Sequence, residues 1–385
     1  MNGFTPIQMG FLRRFLPLLA LAVLPASAPA QTREWVFHKT ADGSHPDGNE
    51  QELVWLMNRA RANPAAEGRF LANNQDSSVQ LGLNYFGVDV NLMLQEFSAI
   101  APKPPAAFDR RLYEGSRAHS LDLIQREAQD HTGQISRLNQ AGLYYTTAHI
   151  STYSYGAEPP AVHGALNIDW GPGPGNMQTG RGHRQAIMSN TPVFLSSVGF
   201  AMVPENNTET AIGPWVFSGA YVHASPLRPD HYNRFLVGTV WTDRNGNSRY
   251  DAGEGHDQIR VQPSHGAWHA LTGKAGGWAI PADPGHYTVT FSGPGIPFSF
   301  TRQVSVANDS VLLDTPTAPP FEVSILPASG GRLNLSWSGG KPPWQVQWLP
   351  EGTRQWQNLG SPTNTNSILV KPAGPRGLYR VMAAP

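Results

Sequence analysis

"GRGHRQAIM", residues 180–188, sets a histidine between two arginines, directly after the Gly- and Pro-rich run "GPGPGNMQTG" of residues 171–180. Glycines and prolines break the chain, so a new helix starts at this point. His183 lies one helical turn before the apolar Ile187, and residues four apart share a helix face. The imidazole is therefore expected to face inward. An inward imidazole at the start of a helix is a packed core side chain, a catalytic base or a metal ligand.

The flanking sequence builds a domain around this helix. "AVHGALNIDWG" (161–171) reads as a short helix that ends near Asp169. Downstream, "SVGFAMV" (197–203) and "PWVFSGAYV" (214–222) read as a pair of strands. Val198, Phe200 and Met202 alternate with smaller residues, and Trp215, Phe217 and Tyr221 share a face. Upstream, "NEQELVWLMNRARANP" (49–64) reads as a helix, with Asn49 as cap and Glu52 completing a capping box. Its face is Leu53, Leu56, Met57 and Ala60, and Asn63 leaves the helix because Pro64 follows. A further helix, "FDRRLYEGSRAHSLDLIQREAQ" (108–129), is capped by Asp109 and carries the stripe Leu112, Ser116, His119, Leu123. His119 is read as a satisfied core histidine, although so polar a stripe also suits the border of a wet cavity. "DHTG" (130–133) is a loop holding His131, and the aromatic stretch "LYYTTAHISTYSYGAE" (143–158) ends at Glu158. Residues 31–48 read as a polar loop. These segments make an α+β domain over residues 45–224.

Past residue 233 the pattern is strands and turns alone. "RFLVGTVW" and "GHYTVTFSG" are strand-like, and "DTPTAPPF" (314–321) is a Pro-rich linker. Two small β-sandwich modules are expected, 233–316 and 320–385. The fold class is thus multidomain, an α+β domain followed by two all-β modules.

Composition narrows the function. The 385 residues carry a formal net charge of zero, so no basic footprint for nucleic acid exists. Cysteine is absent, which excludes disulfides, thiolate zinc sites and cysteine nucleophiles. Arg13 and Arg14, the apolar "FLPLLALAVL" and the small residues of "ASAPA" read as a signal peptide over residues 1–30. A secreted chain, extracellular or periplasmic, is therefore expected. No later apolar run is long enough for a transmembrane segment.

The order of "PPAAFDRRLYEGSRAHSLDLIQREAQDHTG", "YGAE", "GRGHRQAIMSN" and "SSVGFAMV" resembles the SCP/CAP superfamily of cysteine-rich secretory, antigen 5 and pathogenesis-related proteins, in its bacterial form. The resemblance covers about residues 45–224 and implies an α-β-α sandwich around a cavity that holds two histidines and two acids. It places His131, Glu158, Asp169 and His183 in that tetrad. Pro159 stands where the family has Asn after the first acid, and Asp169 matches the second acid only through "NIDWG". His131 and His183 would ligate zinc or another divalent ion, with the carboxylates orienting the imidazoles. The same four groups also suit a hydrogen-bonded network that buttresses the cavity. No nucleophile stands out: Ser120 adjoins His119, but neighbours along a helix do not face each other. The implied functions are capture of a lipid-like apolar ligand, an envelope polymer or a protein partner; metal-dependent hydrolysis; or a purely structural surface role.

"DRNGNSRYDAGE" (243–254) has calcium-loop spacing. Asp243, Asn245, Asn247, Asp251 and Glu254 stand at positions 1, 3, 5, 9 and 12, and Arg249 at position 7 offers its carbonyl. Ser248 occupies the position where a glycine is expected. Together with "TGKAGGWAIPADPGHYTV" the module resembles prealbumin-like B repeats, which implies a structural calcium; an Asx-rich turn without metal is the alternative. "LNLSWSGGKPPWQVQW", "WQNLG" and "GLYRVMA" resemble a short fibronectin-III-like module. There Trp337 is expected in the core, while Trp344, Trp348 and Trp356 suit either core or sugar stacking.

Overall fold

The computed structural model describes residues 32–385 apart from 75, 297, 318–321, 339–341, 373, 375 and 385. The expected signal peptide, residues 1–30, lies outside them, as does part of the expected linker. All described residues belong to one body, Thr32–Pro385.

The helical part opens with β1 (Arg33–Glu34), α1 (Gly48–Ala62), α2 (Pro64–Ala72), α3 (Ser77–Phe86) and α4 (Val90–Ala99). It continues with β2 (Ala107–Phe108), α5 (Arg110–Arg126), α6 (Gln134–Gln140) and β3 (Tyr145–Gly156). It closes with α7 (Pro159–Ile168), α8 (Gly182–Ile187), β4 (Ser197–Pro204) and β5 (Trp215–Ala224). The sheet has the order β2-β4-β5-β3. Strand alternation sorts its side chains. Val198, Phe200, Phe217 and Tyr221 enter a core with Leu53 and Met57 of α1 and Val162 and Leu166 of α7. Ala220 and Val222 meet Leu112 of α5 and Leu138 of α6 in a separate cluster.

The capping box of α1 sits two residues earlier than its sequence suggests. Asp47 accepts from the Glu50 amide at 3.0 Å, and the Glu50 carboxylate accepts from the Asp47 amide at 3.0 Å. The expected Asn49–Glu52 box is therefore corrected. Asp47 holds an extended backbone, as an N-cap requires, whereas Asn49 already lies inside the helix. The stripe on α5 is buried and dry rather than a cavity wall. Ser116 donates to the Gly199 carbonyl at 2.9 Å, and Ser120 to Ser218 at 2.9 Å. His119 bonds through Nε2 to the Asp130 carbonyl at 3.0 Å, and burial pushes its pKa down.

The β part holds β6 (Phe235–Thr242), β7 (Arg260–Pro263), β8 (Trp268–Leu271), β9 (Gly277–Pro281), β10 (Gly285–Ser292), β11 (Phe300–Val306), β12 (Val311–Leu312) and β13 (Thr315–Thr317). One sheet runs β12-β6-β13 with β9 paired to β6; the other runs β1-β8-β7-β10-β11. Leu236, Val240 and Ile280 of the first pack on Val261, Val289 and Phe291 of the second, which makes a sandwich. Thr315–Thr317, read from sequence as linker, pairs with β6 in parallel. The segment read as a leading loop supplies β1, which pairs with β8, and Trp35, which is buried against Phe235 and Val237.

Every residue of β6 is buried, because the helical part covers its outer face. Gln51 donates to Thr239 at 2.9 Å. Trp55 and Leu56 of α1 cluster with Trp241 and Tyr250. This explains why α1 is apolar on two sides. Beside that contact, Glu52 accepts from the Ala252 amide at 3.2 Å, and burial lifts its carboxyl to about 7. The folded chain keeps this proton where the unfolded chain, with a value of 4.5, has lost it. Stability contributed by this group therefore falls as pH rises from about 4.5 to about 7. Glu52→Gln is expected to stabilise the chain by on the order of 2 kcal/mol at pH 8 and to change nothing at pH 4, read by urea unfolding at both.

The last part forms two three-stranded sheets. β14 (Glu322–Ala328), β15 (Arg332–Ser338) and β18 (Ser367–Val370) make one; β17 (Gln357–Asn358), β16 (Trp344–Pro350) and β19 (Gly377–Ala383) make the other. Trp337, Trp344 and Trp348 are buried. Trp356 lies under the guanidinium of Arg380, 4.2 Å from its ring centre.

Candidate functional site

Asp169 ends α7 in the left-handed region, with φ 61°, a conformation aspartate tolerates better than most residues. The turn aims its carboxylate at α8. Oδ1 lies 2.8 Å from His183 Nδ1, and Oδ2 accepts from the His183 amide at 3.1 Å. Asp169 is fully buried, at 0 % exposure. The carboxylate thus fixes the tautomer: Nδ1 carries the proton, and the Nε2 lone pair is left for a ligand.

Arginines fix the dyad. Arg184 donates through Nε to the Asn167 carbonyl at 2.6 Å and through Nη2 to that of Ile168 at 2.7 Å, closing the end of α7. It also bonds Glu96 of α4. Arg181 chelates the same Glu96 at 3.0 and 2.8 Å and ties down the Met177 and Pro174 carbonyls at 2.8 Å each. The arginines flanking His183 therefore clamp a carboxylate. Arg61 does the same service for the end of α8. Its Nε donates to Ile187 O at 2.6 Å and its Nη1 to Leu195 O at 2.8 Å, with no exposure at all. Between the two helices the loop needs glycine at 173, where a Cβ would stand 2.2 Å from the Met177 carbonyl.

His183 lines a groove of about 520 Å³ together with Leu81, Tyr85, Phe86, Tyr153 and Trp170. Burial pushes the Tyr153 hydroxyl up. Neither Asp, Glu, Lys nor Arg is found among the described residues of its lining. Sequence reading missed this wall, because α3 was not read as a helix. The signal was present: Leu81 and Tyr85 are one turn apart, and the "YF" pair precedes a glycine stop.

Of the four tetrad candidates, the structure brings together Asp169 and His183. His131 is exposed at the start of α6, and its Nδ1 bonds Gln134 Oε1 at 2.7 Å. The Gln134 amide is oriented by donation to the Ser151 carbonyl at 3.0 Å, so its Oε1 accepts from Nδ1 of His131. Glu158 is the exposed N-cap of α7. It stands at the opposite end of a ten-residue helix from Asp169, about 15 Å along the axis. Among the described residues, three acid or imidazole ligand atoms gather within 4.8 Å only at His45, Asp47 and Glu50. That group is the cap of α1, with Glu50 Oε2 already accepting from His45 and from the Asp47 amide. Taken singly, His131 and His183 each have Nδ1 engaged in a hydrogen bond, and an imidazole nitrogen is a donor that a borderline divalent ion takes.

The loop 243–254 is held by hydrogen bonds from its backbone amides to its own side chains. Asp243 accepts from the amides of Gly246, Asn247 and Ser248 at 2.8, 3.1 and 2.9 Å. Asn245 and Asn247 converge on Asp251 Oδ2 at 2.7 and 2.6 Å. Glu254 is buried and accepts from the Arg244 and Asp251 amides at 2.7 and 3.1 Å. Arg249, whose carbonyl is the expected ligand, turns its side chain away over Phe70, 4.7 Å from the ring centre. Oxygen is the donor type a hard cation such as calcium takes, while in this fold the carboxylates of Asp243 and Glu254 are engaged by the loop's own backbone amides. Ser248 sits at φ 60°, the left-handed turn for which glycine is normal. Ser248→Gly is expected to add about 1 kcal/mol, seen as a higher Tm in calcium buffer.

No family model matches this chain, and no curated protein matches it. Among solved structures, a DUF3823 family protein from Bacteroides ovatus ATCC 8483 shares 15 % identity over 38 % of this chain and 88 % of its own, with TM-score 0.18. A chain of a cytokine receptor complex shares 17 % identity over 32 % of this chain and 76 % of its own, with TM-score 0.14. Scores this low carry no argument about fold or function, so the function rests on the site itself.

Proposed function

We propose that this chain is a secreted protein of the SCP/CAP type. Its helical part would be the α-β-α sandwich of that family, and its groove at His183 would receive an apolar molecule, an envelope polymer or a protein segment outside the cytoplasm. The observation that carries this reading is the Asp169–His183 dyad, a buried carboxylate that presents one imidazole nitrogen to an uncharged groove. His183, presented by Asp169, would hold zinc or a similar ion, whose contribution when bound is to polarise a ligand oxygen or water. The 243–254 loop would hold calcium and stiffen the β part for display at a surface.

The same dyad supports a second reading, a metal-dependent extracellular hydrolase, since a carboxylate-oriented imidazole also serves as a base. One experiment separates the two. The purified chain, with Zn²⁺, is offered peptides, esters and glycans. Capture without turnover, weakened in His183→Ala, supports binding; turnover abolished in His183→Ala establishes the hydrolase. Equal behaviour of the wild-type and variant chains removes the groove from both.

A further inference from the structure

The groove beside His183 differs from the other hollows of the described chain in its charge. One neighbouring hollow is lined by Glu96, Arg181 and Arg184, and one in the β part by Arg234 and Asp283. The His183 groove has no such group and instead gathers aromatic rings. Tyr85 is 80 % exposed and Tyr155 50 %, so large ring faces stand in water. Phe86 lies parallel to Trp170, with centroids 5.8 Å apart and planes 13° apart. Trp170 can lie there because residue 82 is glycine, where a Cβ would stand 2.4 Å from the indole. The rings are therefore placed by the fold. Between them lie neutral hydrogen-bonding groups: Ser78, Gln129, Thr152 and Gln178. Gln129 is held through its Oε1, which accepts from the Ser154 amide at 2.8 Å.

Resting on the groove reading above, we infer that the ligand is an uncharged polysaccharide segment. Pyranose rings offer apolar C–H faces that suit aromatic platforms, with hydroxyls at their edges that suit amides and hydroxyls. With no metal on His183, a fatty acid or phospholipid brings an anionic head that the lining has no Lys or Arg to neutralise. Acidic polysaccharides fail for the same reason. A sterol has no charge, but it brings a single hydroxyl to meet the hydrogen-bonding capacity that Gln129 Nε2 and Ser78 leave along the groove, and each group buried unmet costs free energy.

The test uses the full chain, free of added metal, in calorimetric titrations with xylohexaose, cellohexaose and chitohexaose, set against oligogalacturonate, a fluorescent fatty acid and a fluorescent sterol. Binding of at least one neutral oligosaccharide is expected, weakened about three- to tenfold by Tyr85→Ala. Tyr85 is exposed, so its loss leaves the fold intact. Gly82→Ala, which displaces Trp170, is expected to weaken the same binding. Sterol or fatty acid binding that is sensitive to Tyr85→Ala, with no sugar bound, overturns the inference while leaving the groove reading in place. Preference for the acidic sugar, or sugar binding unchanged by Tyr85→Ala, also overturns it. Silence toward every probe overturns both the inference and the groove reading.

Discussion

Arg61→Ala is expected to cost about 4 kcal/mol, lowering Tm by roughly 5 °C for a body of this size. The guanidinium is wholly buried and faces no carboxylate; its bonds go to the carbonyls of Ala186, Ile187 and Leu195. Burial pushes its pKa down to about 9, so it stays cationic at neutral pH. Its substitution strands buried acceptors at the end of α8 and leaves a void. Arg61→Lys is expected to recover only part of the loss, because a single ammonium cannot reproduce a planar fork across separate carbonyls. Since α8 carries His183 at its start, both variants are also expected to weaken zinc binding. Thermal unfolding checks the first claim, and a Tm within 2 °C of wild type would contradict it.

Tyr250→Ala is the second large effect, expected to cost about 3–5 kcal/mol. Tyr250 is fully buried and donates to the Ala275 carbonyl at 2.9 Å. Its ring meets Trp241 edge-on at 6.1 Å, in one cluster with Trp55 and Leu56 of α1. It also stands inside the expected calcium loop. Its loss should therefore loosen α1 and the loop together, although they lie far apart in sequence. Hydrogen exchange tests this: amides of both Gly48–Ala62 and residues 243–254 should lose protection in the variant. Loss confined to the loop would show that the α1 contact contributes little. Tyr250→Phe, which keeps the ring, is expected to cost only about 1 kcal/mol.

Much of this architecture was legible in the chain, for identifiable reasons. The alternation in "SVGFAMV" and "PWVFSGAYV" marked β4 and β5, because one face of that sheet takes large side chains and the other takes small ones against α5. The Asn63–Pro64 break was readable from steric exclusion alone. The α1 cap was misplaced because two overlapping Asx-x-x-Glu patterns occur, and only tertiary contacts of Glu50 choose between them. One is its acceptance from the Met202 amide at 3.2 Å. The leading segment looked like a loop because a strand as short as Arg33–Glu34 has no periodicity; its pairing with β8 is long-range. In the site, Asp169 matches the tetrad motif only through "NIDWG", yet it is the group bonded to His183. Its left-handed turn, set by the Gly-rich loop and the Arg184 clamp, is invisible to spacing. Glu158 matched a motif more closely, but α7 sets it at the opposite end of that helix from Asp169.

The central claim is that His183, oriented by Asp169, is the working group of the groove. Zinc titration of the wild-type chain by calorimetry, alongside His183→Ala and Asp169→Asn, tests it most directly. One tight zinc per chain outside residues 243–254 is expected, abolished in His183→Ala and weakened 10- to 100-fold in Asp169→Asn. Zinc affinity that is the same in all three chains, or no zinc bound by any of them, would contradict it.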